Sequence, residues 1–274
     1  MAAQVQVPAP PQSPADPSTN GRLLRRALGN LWRRKLTIFG LAVVALVVIC
    51  AVFAPLIAPH DPVQQHIELK LLPPFWMNGA NPAYRLGTDH LGRDILSRLI
   101  YGSQVSLLVG LTAVLIAGGI GTIAGLASGY FGGIVDDVIS RLADIQLAFP
   151  FTLLALAIMA VLGTGLWKTI AVLGVAGWVI YGRVLRSEVL TMRDREFIVA
   201  SRAMGNPEWR TLLRHILPNV AGTLIVLSTL EVPRVIIAES ALTFLGLGIQ
   251  PPIITWGGML ADGRNYITTH WWVA

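Results

Sequence analysis

Long apolar runs separated by short polar stretches dominate the chain. The run at 36–58 continues for 23 residues without a charge, and no charge occurs from Leu99 to Val135. About 20 apolar residues in a helix cross the roughly 30 Å of membrane hydrocarbon. The pattern therefore predicts five membrane-spanning helices, at 36–58, at about 104–129, from the polar start at 136–146 to about 162, at about 167–186 and at about 218–245.

Prolines and glycines mark the ends and faces of these helices. Pro55 and Pro59 are expected to end the first helix, and Pro150 is expected to kink the third. Pro218 suits the first turn of the fifth helix. Three glycines recur every fourth residue on one face of the second helix, which lets another helix approach closely. They are Gly121, Gly125 and Gly129.

Composition supports a membrane protein. Hydrophobic residues make up 54% of the chain and charged residues only 13%, whereas a soluble domain is about a quarter charged. The net charge of +6 need not indicate nucleic acid, because loops on the cytoplasmic side of membrane proteins collect Lys and Arg. The chain is thus expected to be an all-α integral membrane protein in contact with lipid.

Four regions follow from these patterns. Residues 1–20 contain five prolines and are expected to form a disordered cytoplasmic arm. Residues 21–60 contain a basic anchor and the first membrane helix. Residues 61–103 form an extracytoplasmic segment, and 104–274 form the core.

The positive-inside rule gives the orientation. With the amino terminus in the cytoplasm, fourteen Lys and Arg residues fall on the cytoplasmic side and six on the outside. Arg234 lies within the fifth helix. This bias places the stretch 194–218, called the coupling segment below, in the cytoplasm.

The coupling segment reads as two short helices. Residues 194–204 can form the first, and Gly205 can end it in a left-handed conformation. Asn206 is expected to cap the second helix, with Pro207 in its first position and Glu208 at its positive end. One apolar face is expected on that second helix, with Arg210 and Arg214 on another face. The apolar face consists of Trp209, Leu212, Leu213 and Ile216. Such a segment could lie on anionic lipid or dock a protein partner.

The residue spacing narrows this choice. "ASRAMG", then nine residues, then "HILP" resembles the EAA loop of ABC importer permeases. Ala200, Gly205, Leu217 and Pro218 match that motif. Val199, Ser201 and His215 depart from it.

Longer stretches extend the resemblance to most of 25–274. Residues 86–107, 141–166 and 239–260 are similar to the C-type permease subunit of dipeptide, oligopeptide and nickel ABC importers. The resemblance implies a non-catalytic, cofactor-free subunit with a type I importer fold. Its implied partners are a B-type permease, two cytoplasmic ATPases and an extracytoplasmic solute-binding protein. Peptides are the expected cargo, with nickel or glutathione-like molecules as alternatives.

The same resemblance implies which residues meet the ATPase, and it implies a sixth spanning helix. No apolar run near 20 residues remains in 246–274, so the sixth helix is expected to be missing, with Trp271 and Trp272 at the outer membrane interface. The residues expected to couple to the ATPase are Ala200, Ser201, Ala203, Gly205, Trp209, Leu212, Leu213, Leu217 and Pro218.

Charges near the membrane form a second group of candidates. Glu231 and Arg234 are three residues apart and could pair on one helix face. They could hold the second permease subunit or line the pore, and Glu239 matches a family position on the same helix. Asp144 is expected at a helix end or an inter-subunit contact.

The loop around "DHLGRD" contains a third group. A solvated loop that contacts the binding protein is the favoured interpretation. The alternatives are a metal site or a membrane-embedded hydrolase, and His60 with His66 could suggest nickel. Nucleotide-loop, dinucleotide and zinc-protease motifs are absent from the sequence, so we expect neither a catalytic residue nor a bound metal. The residues of this group are Asp89, His90, Arg93 and Asp94.

Overall fold

The computed structural model describes residues 35–274. The expected Pro-rich arm and the arginines of the basic anchor (Arg22, Arg25, Arg26, Arg33 and Arg34) lie outside the described residues. The chain divides into two units, Met1–Val47 and Val48–Ala274. The first unit contributes the beginning of one apolar helix, and the second contains the remaining elements.

The described part of the chain is helical, and its only strand-like feature is an isolated bridge between Thr88 and Asp94. Short 3-10 turns cover Ile67–Leu69, Arg264–Tyr266 and Trp271–Val273, and one π turn covers Leu212–Ile216. In chain order the helices are α1 (Lys35–Val52), α2 (Ala54–Ile57), α3 (Ile95–Phe131), α4 (Gly133–Leu147), α5 (Phe151–Leu162), α6 (Leu166–Ala176), α7 (Trp178–Met192), α8 (Glu196–Ala203), α9 (Glu208–Thr211), α10 (Leu217–Phe244) and α11 (Trp256–Gly263).

The number of spans agrees with the sequence pattern. Within residues 35–274, four helical stretches are long and apolar enough to cross a membrane, and a fifth is obtained if the bent pair α4–α5 counts as one span. Helix α1 ends at Val52, and Pro55 lies in the first turn of the short α2. The first helix is therefore shorter than the expected 36–58.

Helix α3 is the central element, and its start was predicted wrongly. It contains 37 residues, or roughly 55 Å at 1.5 Å per residue. It begins at Ile95 rather than near 104, because the Asp94 carboxylate accepts a hydrogen bond from the Ser97 N–H at 2.9 Å and caps the helix. The expected boundary between 103 and 104 thus falls inside α3.

The glycine face of α3 packs closely against another helix, as predicted, and that helix is α7. A Cβ atom on Gly125 would lie 2.8 Å from the Gly182 carbonyl oxygen and 2.8 Å from the Leu185 Cβ. On Gly129 it would lie 2.7 Å from the Val189 Cβ. These distances are shorter than ordinary carbon contacts, so the two helices meet this closely only because the positions lack side chains.

Pro150 breaks the third span instead of kinking it. Helices α4 and α5 are bent by 87° relative to each other. Pro150 precedes the first residue of α5 and has no N–H to continue α4. The expected single helix is therefore two helices with a sharp corner.

The second unit has three apolar clusters. The largest joins α3, α5, α6, α7 and α10 around Tyr181 and Met159, both fully buried. A second cluster joins the end of α7 to the coupling segment through Val189, Ile198 and Ile216. The third contains Ile95, Met259 and Val273. The second cluster thus fixes the coupling segment onto the bundle.

Candidate functional site

The turn at Gly205 has the predicted backbone. Helix α8 ends at Ala203, and Gly205 has a φ of +75°. Its N–H donates to the Arg202 carbonyl at 2.9 Å. A left-handed residue reverses the chain here, which places α8 and α9 side by side.

The predicted cap of α9 is wrong. Pro207 precedes the first helical residue, Glu208, and the Pro207 carbonyl accepts from the Arg210 N–H at 3.0 Å. The Asn206 side chain instead donates to the Ser201 hydroxyl at 3.2 Å. Asn206 therefore ties the turn to α8 instead of capping α9.

A buried polar contact joins the two short helices. The Ser201 and Thr211 hydroxyls lie 3.1 Å apart, and both side chains are buried. Buried hydroxyls are costly unless they are paired, so this pairing favours one relative position of α8 and α9. Sequence reasoning missed Thr211, whose polar character gave no helical-face signal.

Pro218 does not separate the coupling segment from the next span. The chain continues from α9 through the π turn into α10, and the Leu217 N–H donates to the Leu212 carbonyl. Proline lacks the N–H that a regular helix would need at 218, and a wide turn accommodates that loss. The expected break is therefore a bulge inside a continuous helical stretch.

The π turn divides the predicted apolar face. Ile216 is fully buried and Leu212 is partly buried in the second cluster. Trp209 is 60% exposed and Leu213 is 54% exposed. The expected single face is thus wrong: one part anchors the segment and the other part is open. Three more large apolar residues of the segment are exposed, and we call the whole set the open patch: Phe197, Val199, Met204, Trp209 and Leu213.

The end of α3 contacts both short helices of the coupling segment. The Tyr130 hydroxyl donates to the Glu208 carboxylate. The same oxygen accepts from the Arg202 Nε at 3.1 Å. The Arg202 guanidinium carbon lies 4.5 Å from the centre of the Tyr130 ring. Sequence analysis did not single out Tyr130, because no local pattern links residue 130 to residues 202 and 208.

The charges of α10 differ in their surroundings. Arg234 donates to Glu231 at 3.2 Å, as predicted, and its side chain is 53% exposed while that of Glu231 is 12% exposed. Glu239 is fully buried, and its carboxylate accepts from the Thr243 hydroxyl at 2.8 Å. Asp144 of α4 pairs with Arg183 of α7, and both side chains are exposed. Glu239 is thus buried and Glu231 is mostly buried, whereas the side chains of Arg234 and Asp144 are more than half exposed.

The "DHLGRD" loop is not a solvated loop. Asp89 and Asp94 are both buried. The Asp89 carboxylate accepts from Arg93 at 2.7 Å and also from Arg98. Asp262 of α11 accepts from the same two arginines, at 3.0 Å and 3.1 Å. The loop is therefore fixed to α11 by a four-residue ionic cluster.

The surroundings of Asp89 in this cluster favour the charged form of its carboxyl group. Burial raises the pKa of its carboxyl, but hydrogen bonds from the Arg93 and Leu91 backbone and the charges of Arg93 and Arg98 outweigh burial. The pKa of Asp89 lies below its ordinary value of 3.8. An arginine-paired carboxylate with a lowered pKa is a poor general acid or base near neutral pH, which weighs against the hydrolase alternative.

The histidines have structural contacts. Among residues 35–274, the one group whose donor atoms could converge on a metal is Asp89, His90 and Asp262, and both carboxylates already accept from arginines. The His90 ring stacks on Tyr266, with the ring centres 5.7 Å apart. His60 stacks on Tyr84, with the ring centres 4.7 Å apart. The His66 Nδ1 lies 3.5 Å from a Glu68 carboxylate oxygen.

Comparisons with known proteins agree with this architecture. Residues 121–270 match the model of the "binding-protein-dependent transport system inner membrane component" family. Residues 22–74 match the "N-terminal TM domain of oligopeptide transport permease C". Each match covers part of the region where the sequence resemblance was drawn.

Similar proteins are named as peptide permeases. The di/tripeptide transport system permease protein DppC of Pseudomonas aeruginosa is 44% identical over 85% of this chain and 77% of that protein. The dipeptide permease DppC of Bacillus subtilis is 39% identical, over 88% of this chain and 75% of that protein. The oligopeptide permease OppC of Bacillus subtilis is 35% identical, over 87% and 76%.

A solved structure with a similar fold comes from another ABC transporter. It is an inward-facing conformation of the MetNI methionine ABC transporter, with a TM-score of 0.51 over 64% of this chain and 82% of that chain. The sequence identity is 19%, so this likeness concerns the fold alone.

Proposed function

Because this chain belongs to the family of binding-protein-dependent transport system inner membrane components, we propose that it is the permease subunit of an ABC importer for peptides and that its coupling segment docks a partner ATPase. Its fold is that of a type I importer permease, a multi-pass membrane protein. ATP hydrolysis takes place on the partner chains, and this subunit transmits the resulting movement.

The names of the relatives support peptides as the cargo. Permeases named for di- and tripeptides, dipeptides and oligopeptides have sequence identities of 35% to 44% with this chain over most of its length. An extracytoplasmic binding protein delivers the peptide. A second, B-type permease completes the pathway through the membrane.

The open patch is the observation that carries the docking proposal. Its large apolar side chains lie on α8, on α9 and on the turns that follow them, while Ile198 and Ile216 of the same segment are buried against α3 and α7. Exposed apolar area of this kind marks a protein or a membrane interaction site, and the match of this segment to the EAA motif favours a protein partner. The supporting residues are Ser201, Leu212 and Leu217, and the contacting residues are Ala200, Ala203, Gly205, Trp209, Leu213 and Pro218.

The remaining site residues divide between the two other partners. Asp144 and Arg234 are half exposed or more, and we assign them with Glu231 to the surface shared with the B-type permease. Glu239 is buried and positions α10 from within. The loop of Asp89, His90, Arg93 and Asp94 lies on the extracytoplasmic side, where its outer surface meets the binding protein.

In the proposed orientation of the chain in the membrane, the amino terminus and the coupling segment lie in the cytoplasm. Arginines in and beside that segment agree with this side. They are Arg183, Arg186, Arg193, Arg195, Arg202, Arg210 and Arg214.

The test uses Trp209→Glu, which places a charge in the open patch and disturbs little packing. We expect the variant to reach the membrane in normal amounts and to lose most of the ATPase that co-purifies with the native complex. Uptake of a radiolabelled dipeptide by cells that express the whole importer should fall in parallel. Arg214→Ala, a change at an exposed side chain outside the patch, is the matched control. Normal ATPase recovery with Trp209→Glu would refute docking through this patch.

A further inference from the structure

The hydroxyl of Tyr130 bridges two opposite charges of the coupling segment. It donates to the Glu208 carboxylate and accepts from the Arg202 guanidinium. Arg202 belongs to α8 and Glu208 to α9, on either side of the Gly205 turn. Among the ion pairs found in residues 35–274, Arg202 and Glu208 do not pair directly. The phenol therefore connects them.

A tyrosine hydroxyl suits this position because it both donates and accepts. Phenylalanine would keep the ring under the Arg202 guanidinium but would leave both charged groups without their shared partner. Tyr130 is 5% exposed, whereas Arg202 and Glu208 lie at the surface. Water therefore solvates the two charges in the phenylalanine variant but does not connect them to α3. The arrangement thus depends on one oxygen atom.

The bridge connects a rigid segment to a rigid helix. The Ser201–Thr211 and Asn206–Ser201 hydrogen bonds hold α8 and α9 together. Tyr130 is the last residue but one of α3, which is the helix packed closely on α7 along its glycine face. A displacement of the segment that preserves the bridge must therefore also displace the end of α3.

We propose that Tyr130 is a positioning residue that makes α3 follow the coupling segment during the ATP cycle. This inference rests on the proposed function, since it assumes that the ATPase moves that segment. The apolar contacts of Ile198 and Ile216 attach the segment to the bundle, but apolar burial has no preferred direction. The two charged hydrogen bonds of Tyr130 are directional, and they fix the angle between the segment and α3.

The first experiment measures coupling in proteoliposomes that contain the complete importer. Tyr130→Phe should assemble with normal amounts of ATPase and should hydrolyse ATP, but it should use several times more ATP for each radiolabelled dipeptide taken up. Hydrogen bonds to charged groups contribute enough to change the ratio of bridged to unbridged segment about tenfold. Tyr101→Phe, on the same helix but far from the segment, is the matched control and should behave like the native protein.

Substitutions of Glu208 separate the bridge from general packing. Glu208→Gln keeps an acceptor for the phenol and should retain most of the coupling. Glu208→Ala removes the acceptor and should raise ATP use per peptide as Tyr130→Phe does. The double variant Tyr130→Phe with Glu208→Ala should be no worse than either single variant, because both remove the same bridge. Additive losses would overturn the proposal.

A second experiment needs no transported peptide. Spin labels at Ile123→Cys on α3 and Asp194→Cys beside α8, in a Cys50→Ser background, report the distance between α3 and the segment. In the native complex the distribution of label-to-label distances should stay narrow and unchanged when Mg-ATP is added. In Tyr130→Phe the distribution should broaden or shift. The same narrow distribution of distances in both proteins would overturn the proposal.

The two proposals can fail separately. Failure of the native complex to bind ATPase or take up dipeptide would count against the proposed function. Normal native activity with unaltered coupling in Tyr130→Phe would count against the bridge alone.

Discussion

Replacing Gly125 with alanine should force α3 and α7 apart. The new Cβ would lie 2.8 Å from both the Gly182 carbonyl oxygen and the Leu185 Cβ, and 3.1 Å from the Arg186 nitrogen. Ordinary carbon contacts lie at about 3.5–4.0 Å, so the backbones must separate by roughly 0.7 Å. Backbone atoms and a Cβ cannot rotate away, and overpacking of this kind costs about 1–3 kcal/mol.

Gly119 provides the matched control, because it lies on the same helix and a Cβ there would meet no atom within 4 Å. Alanine is favoured over glycine in a helix by about 0.5–1 kcal/mol, and this gain applies at both positions. The difference between Gly125→Ala and Gly119→Ala therefore isolates the contact with α7.

Thermal unfolding in detergent, followed by tryptophan fluorescence, measures this difference. For a chain of this size 1 kcal/mol corresponds to about 2–4 °C in Tm. Gly125→Ala should therefore melt about 2–12 °C below Gly119→Ala. Equal melting temperatures would show that α7 yields without cost and that the close packing is not required.

Gly205→Ala should lower ATPase co-purification, because a φ of +75° costs a side chain about 1–2 kcal/mol; Gly205→Asn should retain more binding, and equal losses would contradict the turn argument. Asp89→Asn should lower the Tm at neutral pH. Because its pKa is depressed in the folded protein, the stabilisation from Asp89 is complete above its ordinary pKa and lost as pH falls through the folded value. The difference in Tm between the native protein and Asp89→Asn should thus disappear below about pH 4. A difference that stays constant with pH would exclude the Asp89 charge as its cause. Arg234→Ala should reduce recovery of the assembled complex more than a double change of Glu231→Gln with Arg234→Gln, since the single change leaves Glu231 unpaired. Equal recovery would mean that the pair contributes nothing to assembly, which is true of many exposed ion pairs.

The sequence was sufficient for the spans and for the glycine face. Uncharged runs give the number of spans, and the spacing of Gly121, Gly125 and Gly129 correctly indicated a close helix neighbour. The exact bounds depend on contacts that a local pattern does not contain. The early start of α3 depends on the Asp94 cap, and the corner at Pro150 depends on how its neighbours pack.

The site was predicted less completely. The motif spacing correctly placed the turn at Gly205, but the cap and the single apolar face were wrong. Asn206 found a buried hydroxyl partner across the turn, and the π turn changed which side chains share a face. Tyr130 lies 72 residues from Arg202 and 78 from Glu208 along the chain, a separation that sequence periodicity cannot bridge.

The π turn at Leu212–Ile216 sets the angle, measured around the axis of α10, at which the coupling segment faces outward. We call this angle the azimuth of the segment. A π turn has the effect of one extra residue in a helix, and each residue of an α-helix advances the azimuth by about 100°. The membrane-facing sides of α10 and the direction in which Trp209 points are therefore set independently. The span can satisfy its lipid and helix neighbours while the short helices present their apolar side chains in another direction.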